Sequence, residues 1–269
     1  MLGNILFIGC GKMGSAMAQA IISNPKINNE QIKIVKRSII IDEALNNIEI
    51  CHNVTDFPQS YKADVVFLCV KPQNIDDTLQ DFIKSAKFHK DTIFISIIAG
   101  KNISYFSKIL GINTKIIRTM PNLAIKDDCG ILPYLASSNI NKDEVNLITD
   151  LFTKSATVFD VKDESLFDVI TAIFGCGPAY ILLLQEILHE IAIKGGLDNK
   201  LSEELIKKLF FGTSLMANNS ADFTKSRLEV TSKNGVTQSL TEKLQENESL
   251  KNLFNNAINN AIARSKELS

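Results

Sequence analysis

Apolar residues recur along the first half of the chain in short, β-branched runs: Ile5 to Ile8, Ile32 to Val35, Val65 to Val70, Thr92 to Ile97 and Lys115 to Arg118. Several are apolar without alternation, as strands covered on both faces are. Stretches of helical pattern lie between them, such as Lys12 to Ile22 and Asn74 to Ser85. Strands that alternate with helices predict α/β architecture with a doubly wound, mostly parallel sheet. Gly130 to Leu135 and Thr157 to Val161 extend that sheet. Pro133 is expected to confine the first of these to an edge or a bulge, because proline has no N–H for a ladder.

After about Asp163 the strand signals stop. A long apolar helix is expected between Glu164 and Lys194, ended by Gly195-Gly196. Ser202, followed by Glu203 and Glu204, reads as the cap of the next helix, which carries Leu205, Leu209 and Met216 on one stripe. Leu250, Leu253, Phe254, Ala257, Ile258, Ala261 and Ile262 follow the spacing of a last amphipathic helix. The expected division is a sheet domain over residues 1–162 and an all-helical domain over 163–269. The second has much apolar surface for its size, which points to burial against another copy of the chain.

Composition narrows the function. The chain has 269 residues, 45% hydrophobic and 22% charged, with a formal net charge of −1. That balance excludes a disordered chain and offers no electrostatic footprint for nucleic acid or an anionic membrane. No run reaches the ~18 uninterrupted apolar residues of a membrane span; Gly175, Gly177 and Pro178 interrupt the nearest, Val169 to Leu184. The N-terminus has no basic segment before its apolar run and is not read as a signal peptide. Five scattered cysteines without a CxxC suit reduced thiols in a cytoplasmic protein, and three scattered histidines give no metal constellation.

Candidate chemistry begins at Gly9-Cys10-Gly11-Lys12-Met13-Gly14, a GxGxxG. The pattern is weak alone, but here it follows a predicted strand ending at Ile8 and opens a predicted helix. Gly9 would allow the tight turn, Gly11 the approach of a pyrophosphate, and Gly14 close packing of helix on strand. The helix N-terminus would offer amides and a positive dipole end to phosphates. A strand-to-helix turn that merely needs glycine is the competing reading, and the flanks favour the phosphate loop. The acid expected about 20 residues on, to bind ribose hydroxyls, is missing. Arg37 and Ser38 stand there instead and suit the 2′-phosphate of NADP, although a solvated basic turn fits them equally. Cys69-Val70-Lys71-Pro72 closes another strand, Ala99-Gly100 the next, and Met120-Pro121-Asn122 a third. In open α/β sheets cofactors sit at such strand ends. Lys71 is a candidate general acid, but a lysine closing a strand is more often solvated.

Together, FIGCGKMG, FLCVKPQ, SIIAG, RTMPN, GCGPAY and TSKNGVT, in this order from about Ile5 to about Arg264, resemble the pyrroline-5-carboxylate reductase family. The resemblance implies a Rossmann-type domain followed by a helical dimerisation domain. It also implies NADPH, with NADH possible, as hydride donor to the C=N bond of 1-pyrroline-5-carboxylate, giving L-proline. Carried over by position, it implies cofactor contacts at Ile8 to Met13, at Ser38 beside Arg37, at Asn53, at Cys69 to Pro72 and around Ala99; Gly14, Gly100 and Asn122 join them as cofactor candidates from the glycine loop and the strand ends. Substrate contacts fall at Ser232, Asn234, Gly235, Val236 and Thr237, with backbone amides on the carboxylate and the Thr237 hydroxyl facing the ring nitrogen. The implied assembly is a homodimer or a larger oligomer of dimers.

Lys233-Asn234-Gly235 contains a turn signal, and Val236, Leu240 and Leu244 continue at helical spacing. A turn entering a helix presents unpaired amides, a natural seat for a carboxylate; without the resemblance, a surface turn that caps a helix is the favoured reading. The family usually has Ser-Pro-Gly-Gly here, where this chain has Lys233 and Asn234; Val236 replaces a small or hydroxyl residue and Cys176 a serine. Asparagine tolerates left-handed backbone nearly as glycine does. A protonated imine is already electrophilic, so position and a polar frame are what the protein must supply. Thr237 is a poor acid at neutral pH, and solvent can supply the proton. Glu186, His189 and Glu190 share a helix face and read as solvated rather than as an acid–base set. Rival readings are a two-domain hydroxy-acid dehydrogenase, with Lys194 as its loosely placed lysine, and a non-catalytic NADP-binding regulator.

Overall fold

The computed structural model of the chain describes residues 3–36, 45–220 and 222–268. The chain divides into two compact units, residues 1–176 with 261–269, and residues 177–260.

The first unit is built on one sheet of eight strands: β1 (Ile5–Ile8), β2 (Ile32–Val35), β3 (Glu49–Cys51), β4 (Ala63–Leu68), β5 (Phe88–Ser96), β6 (Lys115–Thr119), β7 (Gly130–Ala136) and β8 (Ala156–Asp160). Their spatial order is 3-2-1-4-5-6-7-8. All neighbours are parallel except β6 and β7. The helices of this unit are α1 (Lys12–Ile22), α2 (Ile75–Ser85), α3 (Ile103–Leu110), α4 (Lys142–Thr149) and the short α5 (Phe167–Ile170), which a π turn at Thr171–Gly175 continues. Side chains alternate across a strand, so the sheet has an apolar core on each face. Ile5, Phe7, Val65 and Phe67 join Met17, Ile21 and Phe152 on one side. Leu6, Ile8, Val66 and Leu68 join Leu79, Phe82 and Phe106 on the other. The register places Phe7 beside Phe67, and their rings stack at 4.5 Å.

β3 has no counterpart among the predicted strands. It is three residues long, half-exposed and held by β2 alone, too short for a hydrophobic run to reveal it. Pro133 does not confine β7 to an edge, because β7 lies between β6 and β8, and its ladder with β8 passes Pro133 without a register shift. The β6 ladder ends at Thr119 and Tyr134, so the missing N–H falls where that pairing stops. The Pro133 carbonyl still accepts the Thr119 hydroxyl at 2.6 Å.

The second unit is helical. It contains α6 (Gly177–Lys194), α7 (Asn199–Asn218), α8 (Phe223–Glu229), α9 (Val236–Gln245) and most of α10 (Ser249–Glu267). Gly196, at φ 96°, ends the run from α6 in left-handed backbone. Ser202 is not the cap of α7. Asp198 caps it four residues earlier by accepting the Leu201 N–H at 3.0 Å. Ser202 is buried in the helix, its hydroxyl 2.9 Å from His189 Nδ1. That bond ties α6 to α7 and gives His189 a structural partner. The helical stretch from Glu164 to Lys194 is by length and composition apolar enough to cross a membrane, and only 17% of its most apolar window is buried.

Candidate functional site

The strand order reverses at β1, which leads to β2 on one side and lies beside β4 on the other. Such a switch point opens a crevice at the carboxyl ends of the strands. Gly9 leaves β1 at φ 79°, where a Cβ would lie 2.6 Å from Val70 Cγ1. A Cβ on Gly14 would touch Cys69 Cβ at 3.0 Å, so α1 sits hard against the end of β4. A Cβ on Gly11 would meet nothing within 4 Å, which leaves its backbone open to an incoming group. Gly11 is also the cap residue of α1 and supplies no side-chain bond to the first-turn amides.

A cavity of about 990 Å³ opens in front of this turn. Of the residues expected at a cofactor, Ile8, Gly9, Cys10, Gly11, Lys12, Asn53, Cys69, Val70 and Lys71 line it. Four lysines (Lys12, Lys36, Lys71, Lys84) and one acid, Asp81, face it, so its wall is positive although the chain is not. A carrier of phosphates suits that wall. Desolvation pushes the Cys69 thiol well above its ordinary pKa, with neighbouring Cys10 adding to the effect. Cys69 is therefore a packing thiol rather than a nucleophile.

Other expected contacts lie elsewhere. Met13 and Gly14 pack toward the core and Pro72 opens a short turn, Pro72–Asn74. Ala99 packs against Met120, Val161, Phe167 and Ile170. Gly100, at φ 79°, admits the end of the chain: a Cβ there would lie 2.6 Å from the Leu268 carbonyl carbon. The amide of Asn122 is engaged by Ile131 and Phe174. Arg37 and Ser38 lie outside the described residues. Sequence reasoning missed Lys36, His52, Thr55 and the α2 wall of Thr78, Asp81 and Lys84. Lys36 was within reach of it, since it precedes Arg37 at the end of β2; the α2 wall carries no local motif and arises only when the sheet assembles.

In the helical unit Asn234 takes left-handed backbone, φ 59°, and Gly235 caps α9 at φ −92°. Asparagine thus occupies the position that needs positive φ. The Asn234 N–H donates to Gln238 Oε1 at 2.7 Å and the Gly235 N–H to the Ser232 carbonyl at 3.1 Å, which fixes the turn. Gly235 makes no side-chain cap, so the first amides of α9 point out of the turn without a capping partner. Among the described residues no hydrogen bond engages the Thr237 hydroxyl. Val236 is 89% exposed.

The glycine turn, the switch point and the lysine wall define a dinucleotide-binding oxidoreductase, and residues 4–100 match the family described as NADP oxidoreductase, coenzyme F420-dependent. Residues 164–268 match the family described as pyrroline-5-carboxylate reductase dimerisation. The chain is 31% identical over 270 residues to a pyrroline-5-carboxylate reductase of Staphylococcus aureus, covering 98% of this chain and 97% of that one. A crystal structure of Plasmodium falciparum pyrroline carboxylate reductase with NADP bound superposes with a TM-score of 0.87, at 26% identity over 98% of this chain and 97% of that one. A pyrroline-5-carboxylate reductase from Coxiella burnetii superposes at 0.85, with 29% identity over 100% and 99% of the two chains. The chain belongs to the pyrroline-5-carboxylate reductase family.

Proposed function

We infer that the chain catalyses the NAD(P)H-dependent reduction of 1-pyrroline-5-carboxylate to L-proline, the last step of proline biosynthesis. What carries the reading is an end-to-end likeness to reductases of that name in a chain whose glycine turn opens on a lysine-lined cavity. The donor is NADPH, with NADH as the weaker alternative.

The division of labour follows the two halves of the chain: residues 1–162 bind the dinucleotide, and residues 163–269 dimerise and hold the substrate. Gly11 and the uncapped amides of α1 receive the diphosphate. Lys36, with Arg37 and Ser38 beyond it, receives the 2′-phosphate in place of the acid that would bind a free ribose. The amides entering α9 hold the substrate carboxylate, and the Thr237 hydroxyl orients the ring nitrogen. Bound NADPH supplies a hydride. The chain's own residues supply alignment, and the nitrogen takes its proton from solvent before the C=N bond is reduced.

The helical half works as a homodimer, alone or as the unit of a larger oligomer. Leu182, Ile191, Leu209, Phe211, Leu240 and Leu253 are each at least half exposed in the single chain, a surface that a second copy covers. The apolar stretch from Glu164 to Lys194 is assigned to that interface rather than to a bilayer. Five free cysteines accord with a reducing, cytoplasmic location.

The test is NADPH oxidation by purified protein with 1-pyrroline-5-carboxylate, repeated with NADH. Turnover with both and a lower KM for NADPH is the expected result. Turnover of hydroxy acids with no imine reduction would overturn the reading.

A further inference from the structure

The helix that begins at Phe167 is not α-helical throughout. At the π turn the Cys176 N–H donates to the Thr171 carbonyl at 2.9 Å, five residues back. Such turns disturb the regular ladder and are frequent at functional sites. Phe174 is the residue most affected. Its carbonyl would ordinarily accept from the residue four positions on, but that is Pro178, which has no N–H. It accepts instead from Asn122 Nδ2 at 3.2 Å.

Asn122 is 5% exposed. Its Oδ1 accepts the Ile131 N–H at 3.2 Å, and its own backbone N–H donates to the Ile131 carbonyl at 3.3 Å. One residue thus joins the end of β6, the start of β7 and the π turn, with both ends of its amide engaged. The turn rests on Met120, because a Cβ on Gly175 would lie 3.6 Å from Met120 Cγ. Met120 is buried with Val161, Phe167 and Ile170, and Ala99 packs on the same cluster. Ala99 and Met120 follow β5 and β6, at the edge of the sheet where the glycine turn follows β1.

We propose that Asn122 is a positioning residue of the reduction: it supplies the donor that Pro178 withholds from Phe174, and so holds the π turn in register over Met120, on whose cluster Ala99 packs. It acts through the turn and not by touching the dinucleotide. The proposal rests on the functional reading above.

The experiment compares wild type, Asn122→Ala, Asn122→Asp and the double variant Asn122→Ala with Pro178→Ala. It reads kcat and KM with the imine, NADPH affinity by fluorescence, thermal stability, and amide exchange across residues 171–177. Asn122→Asp keeps the acceptor for Ile131 in a side chain of the same shape and loses the donor to Phe174. Both single variants should lower kcat about tenfold or more, leave NADPH affinity unchanged and speed amide exchange in the turn. Pro178→Ala returns an N–H four residues after Phe174, so the double variant should recover part of kcat and slow that exchange. Weaker NADPH binding at unchanged kcat would overturn the proposal in favour of direct contact. Lower thermal stability with unchanged kinetic constants would overturn it in favour of a purely structural role, and a double variant as slow as the single would also refute it. Wild type that fails to reduce the imine refutes the functional reading alone; unchanged exchange in Asn122→Ala still refutes the tether.

Discussion

The two units are built to different standards of burial. Among the described residues, every fully buried apolar side chain lies at or before Ala172, on the two faces of the sheet or beside it. Among the described residues of 177–260 only Ser202 is fully buried, while Leu205, Leu209, Phe211, Leu215 and Met216 on α7 alone are half exposed or more. The sheet unit carries a complete core, and the helical unit carries half of one. Marginal stability leaves no room for that much exposed apolar surface without a partner. The difference explains why the dinucleotide site can be described within one chain, and why a second copy is proposed to cover the helical unit.

The largest effect expected from this contrast is on the sheet. Phe67 stacks on Phe7 and meets Phe152 edge-on at 6.0 Å. Phe67→Ala should cost about 3–5 kcal/mol in urea unfolding, and the loss should not depend on protein concentration. Leu209→Asp should act in the opposite way. It touches no single-chain core, yet should turn the proposed dimer into monomers in sedimentation, because a charge buried without a partner costs several kcal/mol. A dimer that survives it would break the comparison.

Smaller effects sharpen it at the two candidate sites. Thr237→Ala should lower kcat/KM at least about tenfold, ~1.4 kcal/mol, in steady-state kinetics, with the oligomeric state unchanged. Lys36→Gln should raise the KM for NADPH about fivefold and leave that for NADH unchanged. Last, alkylation at mildly alkaline pH should mark the exposed Cys129 and spare Cys69. Desolvation raises the Cys69 pKa, so its thiolate stays scarce until the pH is well above the ordinary thiol range.

Local pattern made β1 and β2 legible to the residue: β1, buried on both faces, writes an unbroken apolar run, and β2 alternates buried Ile32 and Ile34 with half-buried Lys33 and Val35. It hid β3, whose three half-exposed residues rely on one neighbour, and the polar start of β5, where His89 to Asp91 fall in the register irregularity between the Ala63–Phe88 and Val65–Ile93 pairs. Pro133 misled because the rule against proline in a ladder assumes two continuous neighbours, and the β6 ladder stops beside it. Ser202 misled because two acids follow it, while the working cap, Asp198, stands where the chain leaves Gly196. At the site, glycine spacing pointed to the turn before β1 and β4 could be seen side by side. The α2 wall and the Asn122 tether depend on residues far apart in sequence, so no window of the chain carries them.

Transfer of the hydride itself is the most direct test. The enzyme should be supplied with NADPH carrying deuterium at C4 of the nicotinamide, with 1-pyrroline-5-carboxylate in ordinary water, and the proline examined by mass spectrometry and NMR. The account predicts one deuterium, from one face of the nicotinamide, on the ring carbon of L-proline that was double-bonded to nitrogen. Proline without the label from either face, or no proline while NADPH remains bound, would contradict it.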